Sequence, residues 1–289
     1  MPKKPEISVI ICTHNRAEQL NQSLSHYTEL EDAMDYELII VLNDCTDHSV
    51  KVVKDWIHKG LIIKQLIEPD KGLSKARNSG WKAAEADWVF YIDDDAYPAP
   101  DLLIKLRGAI HNNNDAIGGR TIHWRDNASA WILDEFVETP VFITSAAFLP
   151  ENAYLSGCAM GFKKATLKEL GGFRETFGMV GGKLAYAEEI DVQDRLLKNN
   201  HKIWYDPNIE VYHKSHLQNV RSFLQANYQK GAYLSKLRTR NIKFNILMLI
   251  KSAIMAPIVG ITYSAQHHYK SGVVKALKPF MYHLGRIIG

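Results

Sequence analysis

The stretch WVFYIDDDAYP, residues 88–98, places five apolar residues directly before three adjacent aspartates. The apolar run predicts a buried strand, because strands that are covered on both faces are continuously hydrophobic. The carboxylates of Asp93, Asp94 and Asp95 repel one another unless a cation lies between them. Such oxygen ligands suit Mg²⁺ or Mn²⁺, which also share oxygens with a substrate phosphate. The alternative interpretation is a solvated turn in which an aspartate caps the following helix.

Short apolar runs alternate with helical patterns over the first 120 residues, which predicts βαβ units and an α/β fold with a mainly parallel sheet. The predicted strands are Ile7–Cys12, Leu38–Leu42, Ile62–Leu66 and Trp88–Ile92, and the predicted helices lie near Ala17–Tyr27, Ser49–His58, Leu73–Glu85 and Pro100–Asn112. Thr13 and Arg16 follow the first strand, and Asn43 and Asp44 follow the second. Because ligands of such sheets bind at the carboxyl ends of the strands, we expect these side chains and the aspartates to meet at one edge.

Charge is divided unevenly along the 289 residues. All 32 acidic residues lie at or before Glu210, whereas residues 211–289 carry twelve Lys or Arg and no acid. The first 210 residues therefore have a net charge of −9 and the remainder +12. This asymmetry predicts an acidic globular body and a basic segment that seeks anions.

Seven short motifs follow one another between residues 6 and 216. They are SVIICTHNR, ELIIVLNDCTD, KGLSKARNSG, FYIDDDAYPAPDLL, GGFRETF, AEEIDVQDRLLKNNHKIWYDP and VYH. Their order resembles the inverting glycosyltransferases of family 2, whose Rossmann-like fold is of the GT-A type. The resemblance implies a catalytic domain over residues 1–216. It would transfer a sugar, with inversion, from a nucleoside-diphosphate donor, expected to be UDP-linked, to an acceptor hydroxyl.

The resemblance also assigns residues to the donor side of the site. Asp95 would bind a Mn²⁺ or Mg²⁺ ion, with His213 as a second ligand or as a structural histidine. The nucleotide and its sugar would be contacted by Thr13, Arg16, Asn43, Asp44, Gly72, Arg77, Asp93 and Asp94. Within this set Asn43 aligns with the base-reading position, and Arg77 would reach the diphosphate or pair with an acidic neighbour instead. The segment from Asp44 to Asp47 could equally cap a helix.

The acceptor side is assigned by the same resemblance. Glu189 aligns with the general base, with Glu188 and Asp191 as the other candidates, and Asp191 would orient the acceptor or hold Arg195. Acidic residues in a first helical turn also simply suit the helix dipole, which is the plainer reading. Gly157 would allow close approach by the acceptor sugar. Trp124 lies in the variable region before it and is a candidate because aromatic faces stack on sugar rings, although it could equally belong to the core.

Residues 217–289 predict a basic, apolar helical tail. Its most apolar part, residues 244–265, is interrupted by Lys251 and Pro257, which favours an interfacial helix pair on an anionic membrane over a spanning helix. A helix packed on the acidic body is the remaining alternative. A membrane-facing tail suggests a saccharide acceptor on a lipid carrier, as in bacterial surface polysaccharide assembly, although a free saccharide remains open.

The three cysteines have no metal-type spacing, and Cys12 and Cys158 lie among apolar or small residues, which indicates buried thiols in a reducing compartment. We therefore expect a cytoplasmic enzyme, peripheral on the inner face of the membrane or integral through residues 244–265, with no nucleic-acid partner. A nucleotidyltransferase should carry a glycine-rich loop after its first strand, and the loop THNRAEQL has no glycine. A degenerate transferase that only binds nucleotide sugars is the other alternative.

Overall fold

The computed structural model divides the chain into two compact units. It describes residues 4–31, 35–112, 114–123, 143–150, 153–180, 187–214, 219–237 and 241–288. The first unit combines Met1–Ile122, Glu138–Phe177 and Glu188–Lys214, and the second combines His123–Val137, Gly178–Ala187 and Ser215–Gly289. We call them the sheet unit and the helical unit. The predicted division into residues 1–216 and 217–289 stays a prediction.

The sheet unit is built on a mixed sheet, which contains nine strands in the described residues. The strands are β1 Ile7–Thr13, β2 Tyr36–Asn43, β3 Ile63–Glu68, β4 Trp88–Tyr91, β5 Ala96–Pro98, β6 Ala116–His123, β7 Ala147–Phe148, β8 Met160–Lys163 and β9 Ile203–His213. Their order is β3-β2-β1-β4-β8-β6-β9-β5, with β7 pairing beside β9. β3, β2, β1 and β4 pair in parallel, whereas β8 and β5 pair antiparallel to their partners. The predicted α/β fold is confirmed, and its parallel part coincides with the alternating region of the sequence.

Helices cover both faces of this sheet. They are α1 Ala17–Ser25, followed by a 3₁₀ turn His26–Glu29, α2 Ser49–His58, α3 Leu73–Ala83, α4 Leu102–Ile110, α5 Lys164–Glu169 and α6 Glu188–Lys198. Val9 and Ile11 of β1 join the core cluster that contains residues of α1, α2 and α4. Ile10 points the opposite way, into the cluster that contains residues of α3, α5 and α6. This alternation explains why the strands are apolar throughout, since successive residues of β1 meet opposite faces that are both covered.

The helical unit contains α7 Val220–Leu237, α8 Ile242–Ser264 and α9 Tyr269–Ile288. Glycines let α7 and α9 approach closely, because a Cβ on Gly231 would collide with the carbonyl oxygen of Tyr282, and one on Gly285 with that of Tyr228. In the part of the chain that the structure describes, α8 is the helix long and apolar enough to cross a membrane, with a mean hydropathy of 1.9 and only 11% of its most apolar stretch buried.

Candidate active site

Polar residues at the ends of β1, β2 and β4 meet at one edge of the sheet. β1 pairs in parallel with β2 and with β4, so that Thr13 lies beside Leu42 and Ile10 lies beside Tyr91. The residues at the carboxyl ends of these strands, which include Asn43 at the end of β2 and the three aspartates shortly after β4, are therefore neighbours in space. The sequence expectation of a shared edge is what the structure shows.

Asp94 lies beneath this edge rather than on it. Its Oδ2 accepts a hydrogen bond of 2.7 Å from the Thr13 hydroxyl, and its Oδ1 lies 2.9 Å from Nη1 of Arg16. Burial raises the pKa of the Asp94 carboxyl to about 7, although Arg16 opposes the shift. Both oxygens of Asp94 are therefore engaged within the protein and its side chain is buried, so the contact of Asp94 with a donor sugar stays a prediction that this geometry does not favour.

Asp95 lies between the guanidinium of Arg16 and the imidazole of His213. One carboxylate oxygen pairs with Arg16, and the other lies 3.1 Å from Nε2 of His213. His213 reaches Asp95 because β5 pairs antiparallel with β9, which places Ala96 beside His213. Burial alone would raise the pKa of Asp95, but His213 and Arg16 outweigh it and hold that pKa below its usual value.

Asp93, Asp95 and His213 form a cluster that could hold a metal ion. Their ligand atoms all lie within 4.8 Å of one another. Two carboxylates and an imidazole are a donor set that Mn²⁺ accepts readily and Mg²⁺ tolerates, and the Asp93 side chain is 35% exposed, so a substrate could approach. Sequence reasoning places Asp93 among the donor contacts, whereas the structure places it with Asp95 and His213.

Arg77 of α3 is enclosed on all sides. Its Nη1 lies 2.5 Å from Oε1 of Glu188, and its Nη2 lies 3.6 Å from Oδ1 of Asp93 and donates to the Gly157 carbonyl at 3.3 Å. The guanidinium also lies 5.6 Å from the ring centroid of Phe173. The expected contact of Arg77 with the diphosphate does not fit this burial, and pairing with acidic neighbours, the alternative, is what the geometry supports.

The three acidic candidates at the start of α6 have different surroundings. Asp191 is buried between Arg174, at 3.0 Å, and Arg195, at 2.8 Å. Its carboxylate is therefore engaged by two arginines, in line with the expectation that it holds Arg195. Glu188 is buried against Arg77. Glu189 is half-buried, and in the described ranges no ion pair holds its carboxylate. Glu189 is therefore the carboxylate that a substrate could reach.

The segment around Gly157 is fastened to α6. Gln193 accepts a hydrogen bond from the Leu155 amide at 2.7 Å and donates one to the Leu155 carbonyl at 3.2 Å. Asp194 accepts one from the Tyr154 hydroxyl at 2.7 Å. Sequence reasoning missed Gln193, although its place one turn after Glu189 on α6 could have suggested it. Trp124, the other predicted acceptor residue, lies outside the described residues.

Asn43 is committed to the neighbouring loop. Its Nδ2 donates to the carbonyls of Glu68 and Asp70 at 3.1 and 2.8 Å, and its Oδ1 accepts from the Gly72 amide at 2.8 Å. Both amide hydrogens are therefore engaged, which does not fit the expected reading of a nucleobase by Asn43. Gly72 has a φ of +145°, which favours glycine directly before α3.

Asp44 remains at the edge of the site. It follows β2 with a φ of +47°, and its carboxylate lies 3.6 Å from Nζ of Lys71, with both side chains exposed. It is thus the predicted nucleotide-binding residue of the second strand that is still open to a ligand.

The fold and this edge define a glycosyltransferase of the GT-A type. The chain belongs to glycosyl transferase family 2, whose sequence profile matches residues 8–171. Membership leaves the nucleotidyltransferase alternative without support.

Two relatives illustrate the range of similar proteins. The chain is 26% identical to a glucosyl-dolichyl phosphate glucuronosyltransferase of Haloferax volcanii over 219 residues, which are 72% of this chain and 69% of the relative. It is 31% identical to a dolichol-phosphate mannosyltransferase of Pyrococcus furiosus over 118 residues, 40% of this chain but only 34% of the relative.

Solved structures share the fold. The mannosyltransferase PcManGT from Pyrobaculum calidifontis, in complex with GDP-Man and Mn²⁺, matches with a TM-score of 0.68 and 15% identity, covering 99% of this chain and 88% of that one. S. aureus TarS 1–349 in complex with UDP-GlcNAc matches with a TM-score of 0.60 and 16% identity, covering 97% and 90%.

Proposed function

We propose that this chain transfers a sugar, with inversion and with a divalent ion, from a nucleoside-diphosphate donor to a lipid-linked acceptor. The observation that carries the proposal is the cluster of Asp93, Asp95 and His213 at the carboxyl edge of the sheet. A Mn²⁺ or Mg²⁺ ion held there would neutralise the charge that develops on the leaving diphosphate. Arg16 pairs with both Asp94 and Asp95, and Thr13 bonds Asp94, so these contacts hold the aspartate segment in place.

Glu189 is the proposed general base. Inversion requires a base on the face of the sugar opposite the leaving group, and an accessible carboxylate there can take the proton of the acceptor hydroxyl. Of the three acidic candidates, Glu189 alone is partly exposed, whereas Glu188 and Asp191 are buried in ion pairs. The acceptor oxygen is the nucleophile, so no covalent intermediate forms on the protein.

The proposed donor carries uridine diphosphate. TarS bound to UDP-GlcNAc supports this choice, and PcManGT bound to GDP-Man provides the rival. A thermal-shift panel of UDP, GDP, CDP and ADP with Mn²⁺ separates them. UDP giving the largest shift supports the proposal, and a larger shift with GDP contradicts it.

The proposed acceptor is a saccharide on a lipid carrier. Two relatives have names that include dolichyl phosphate or dolichol phosphate, which supports such an acceptor here. Transfer to a polyprenyl-phosphate saccharide, with the free saccharide as control, tests the proposal. Equal rates with both acceptors would argue against a role for the lipid.

We place the protein on the inner face of the cell membrane through α8. Five large apolar side chains recur along one face and are more than half exposed, namely Leu247, Ile250, Ile254, Ile258 and Ile261. The opposite face carries small or polar residues that meet α9, since Asn245 bonds His283 at 3.0 Å and Gly260 lies against Gly272. Large apolar residues outside and polar ones inside suit lipid rather than water.

Charge favours an anionic membrane surface for this face. Residues 211–289 contain twelve Lys or Arg and no acid, and Lys251 on α8 argues for lying in the interface rather than crossing. Flotation with phosphatidylglycerol vesicles tests the placement. Ile254→Glu should reduce flotation strongly and Gln266→Glu should not, whereas equal flotation of both variants would contradict the placement.

A transfer assay with Mn²⁺, Mg²⁺ or EDTA tests the proposed function itself. Wild-type protein should transfer sugar with either ion and lose transfer in EDTA. Asp93→Asn should reduce transfer, whereas Asp87→Asn, on an exposed aspartate paired with Lys4, should not. Absence of both transfer and donor hydrolysis with ions present would instead favour a degenerate, binding-only protein.

A further inference from the structure

Glu188 is a buried carboxyl group with one oxygen left over. Its side chain is 6% exposed, and Oε1 lies 2.5 Å from Nη1 of Arg77. Oε2 is also buried, and it has no hydrogen-bond partner among the residues that the structure describes. A buried carboxylate oxygen without a donor is costly, so such an atom needs an explanation.

The neighbouring Glu189 provides that explanation. Glu189 follows Glu188 directly on α6, and burial together with the Glu189 charge raises the pKa of Glu188 to about 8. Two adjacent carboxylates cannot both ionise cheaply in a buried place, so one of them holds a proton. A proton on Glu188 converts its unpartnered oxygen from an acceptor into a donor.

We propose that Glu188 is a protonated positioning residue, which is held by Arg77 through Oε1 and donates a hydrogen bond from Oε2 to the Glu189 carboxylate. The proposal rests on Glu189 being the base of the proposed function. Glu188 keeps its proton throughout the reaction, because the proton of the acceptor hydroxyl goes to Glu189. Glu188 is therefore not itself a base.

Arg77 gives this arrangement its rigidity. The same guanidinium lies 3.6 Å from Asp93 of the candidate metal cluster and 3.3 Å from the carbonyl of Gly157, at the proposed acceptor position. The base, the metal cluster and the acceptor segment are thus joined through one buried side chain. Positioning on this scale matters, because a displacement of about 1 Å can reduce a rate by about 100-fold.

The proposal has a pH signature. The charged groups that face Glu188 are Arg77 from α3 and Glu189 from its own helix, and Asp93 and Cys12 lie beyond Arg77. As the pH rises through about 8, Glu188 loses its proton, and two carboxylates then repel each other. The base is displaced, so kcat should fall on the alkaline side.

Steady-state kinetics of four proteins between pH 6 and 9 test the inference, with Mg²⁺ present: wild type, Glu188→Ala, Glu188→Gln and Glu189→Gln. Glu188→Ala should lower kcat by about 100-fold with little change in donor KM, since it leaves Glu189 without its hydrogen bond. Glu188→Gln keeps an oxygen for Arg77 and an N–H for Glu189, so it should recover most of that loss. It should also remove the alkaline fall, because an amide does not titrate.

Two outcomes would overturn the proposal. Glu188→Gln as inactive as Glu188→Ala would assign Glu188 a role as base, and an alkaline fall that persists in Glu188→Gln would assign that fall to another group. Glu189→Gln separates this failure from failure of the proposed function, since full transfer by Glu189→Gln refutes Glu189 as the base whatever Glu188 does. Should Glu188→Ala not fold, the pH profiles of wild type and Glu188→Gln still decide.

Discussion

Asp95→Asn should remove most of the stabilisation that Mn²⁺ and a nucleoside diphosphate give together. Three protein ligands are proposed for the ion, namely Asp93, Asp95 and His213. Loss of one ligand should weaken metal binding by about 100-fold or more. Even mutation of a residue that only hydrogen-bonds a metal ligand lowers metal affinity by roughly 10- to 100-fold. At about 100 times the Kd, ligand binding stabilises wild type by about 2.7 kcal/mol, and a 100-fold weaker site retains about 0.4 kcal/mol.

Thermal unfolding measures this difference. For a domain of about 150–250 residues, each kcal/mol moves the Tm by about 2–4 °C, so the ligand-induced shift should fall from about 5–10 °C to about 1–2 °C. The substitution also alters the contacts of Asp95 with Arg16 and His213 in the ligand-free protein. The comparison therefore uses the shift on adding ligand and not the Tm itself.

Asp87→Asn is the matched control for this experiment. Asp87 is an exposed aspartate that pairs with Lys4 at 2.7 Å, so its variant should keep the full shift. A D95N protein that keeps the full Mn²⁺-dependent shift would refute the assignment of the metal site. A loss of the shift in both variants would point to general destabilisation instead.

Substitutions at Glu189, at two glycines and at Glu188 give three further predictions. Glu189→Gln should lower kcat by roughly 10²- to 10⁴-fold, while the donor Kd, measured by calorimetry, stays within about twofold of the wild-type value. An unchanged kcat would show that another residue is the general base. Gly119→Ala should destabilise the protein by about 1–3 kcal/mol, because the added Cβ would collide with the backbone of Ile209. Gly108→Ala, in open space on α4, should instead stabilise the protein by up to about 1 kcal/mol. Changes of the same sign for both variants in urea unfolding would contradict the packing. In metal-free protein the free energy of unfolding of wild type, relative to that of Glu188→Gln, should fall as the pH rises from about 5 to 8. Folding raises the pKa of Glu188 from 4.5 to about 8, so in this range the folded state binds a proton that the unfolded state releases. Parallel pH profiles of the two proteins in urea unfolding would show that Glu188 is ionised in the folded state.

The parallel part of the fold is visible in the sequence for a physical reason. β1, β2 and β4 are covered on both faces, so each is a continuous apolar run that ends abruptly in polar residues. Those ends meet because parallel neighbours point the same way, which is why the edge of the site can be predicted from the sequence. Two of the antiparallel strands carry weaker signals, since β5 has three residues and β7 has two.

Local sequence pattern does not predict which distant side chains pair, although the family resemblance places His213 with Asp95. His213 meets Asp95 across 118 residues, and Arg77 meets Glu188 across 111. Local periodicity does not say which anion a buried cation will select, so sequence reasoning leaves two partners open for Arg77, the diphosphate and an acidic neighbour. The resemblance assigns Asn43 to a nucleobase, and only the three-dimensional path of the loop after β3 reveals that this loop engages its amide.

We propose above all that Asp93, Asp95 and His213 together hold a divalent ion. Anomalous scattering at the manganese edge, from crystals grown with UDP and Mn²⁺, tests it most directly. One manganese peak should lie in contact with all three side chains and with the diphosphate. A bound nucleotide with no manganese at these residues would contradict it.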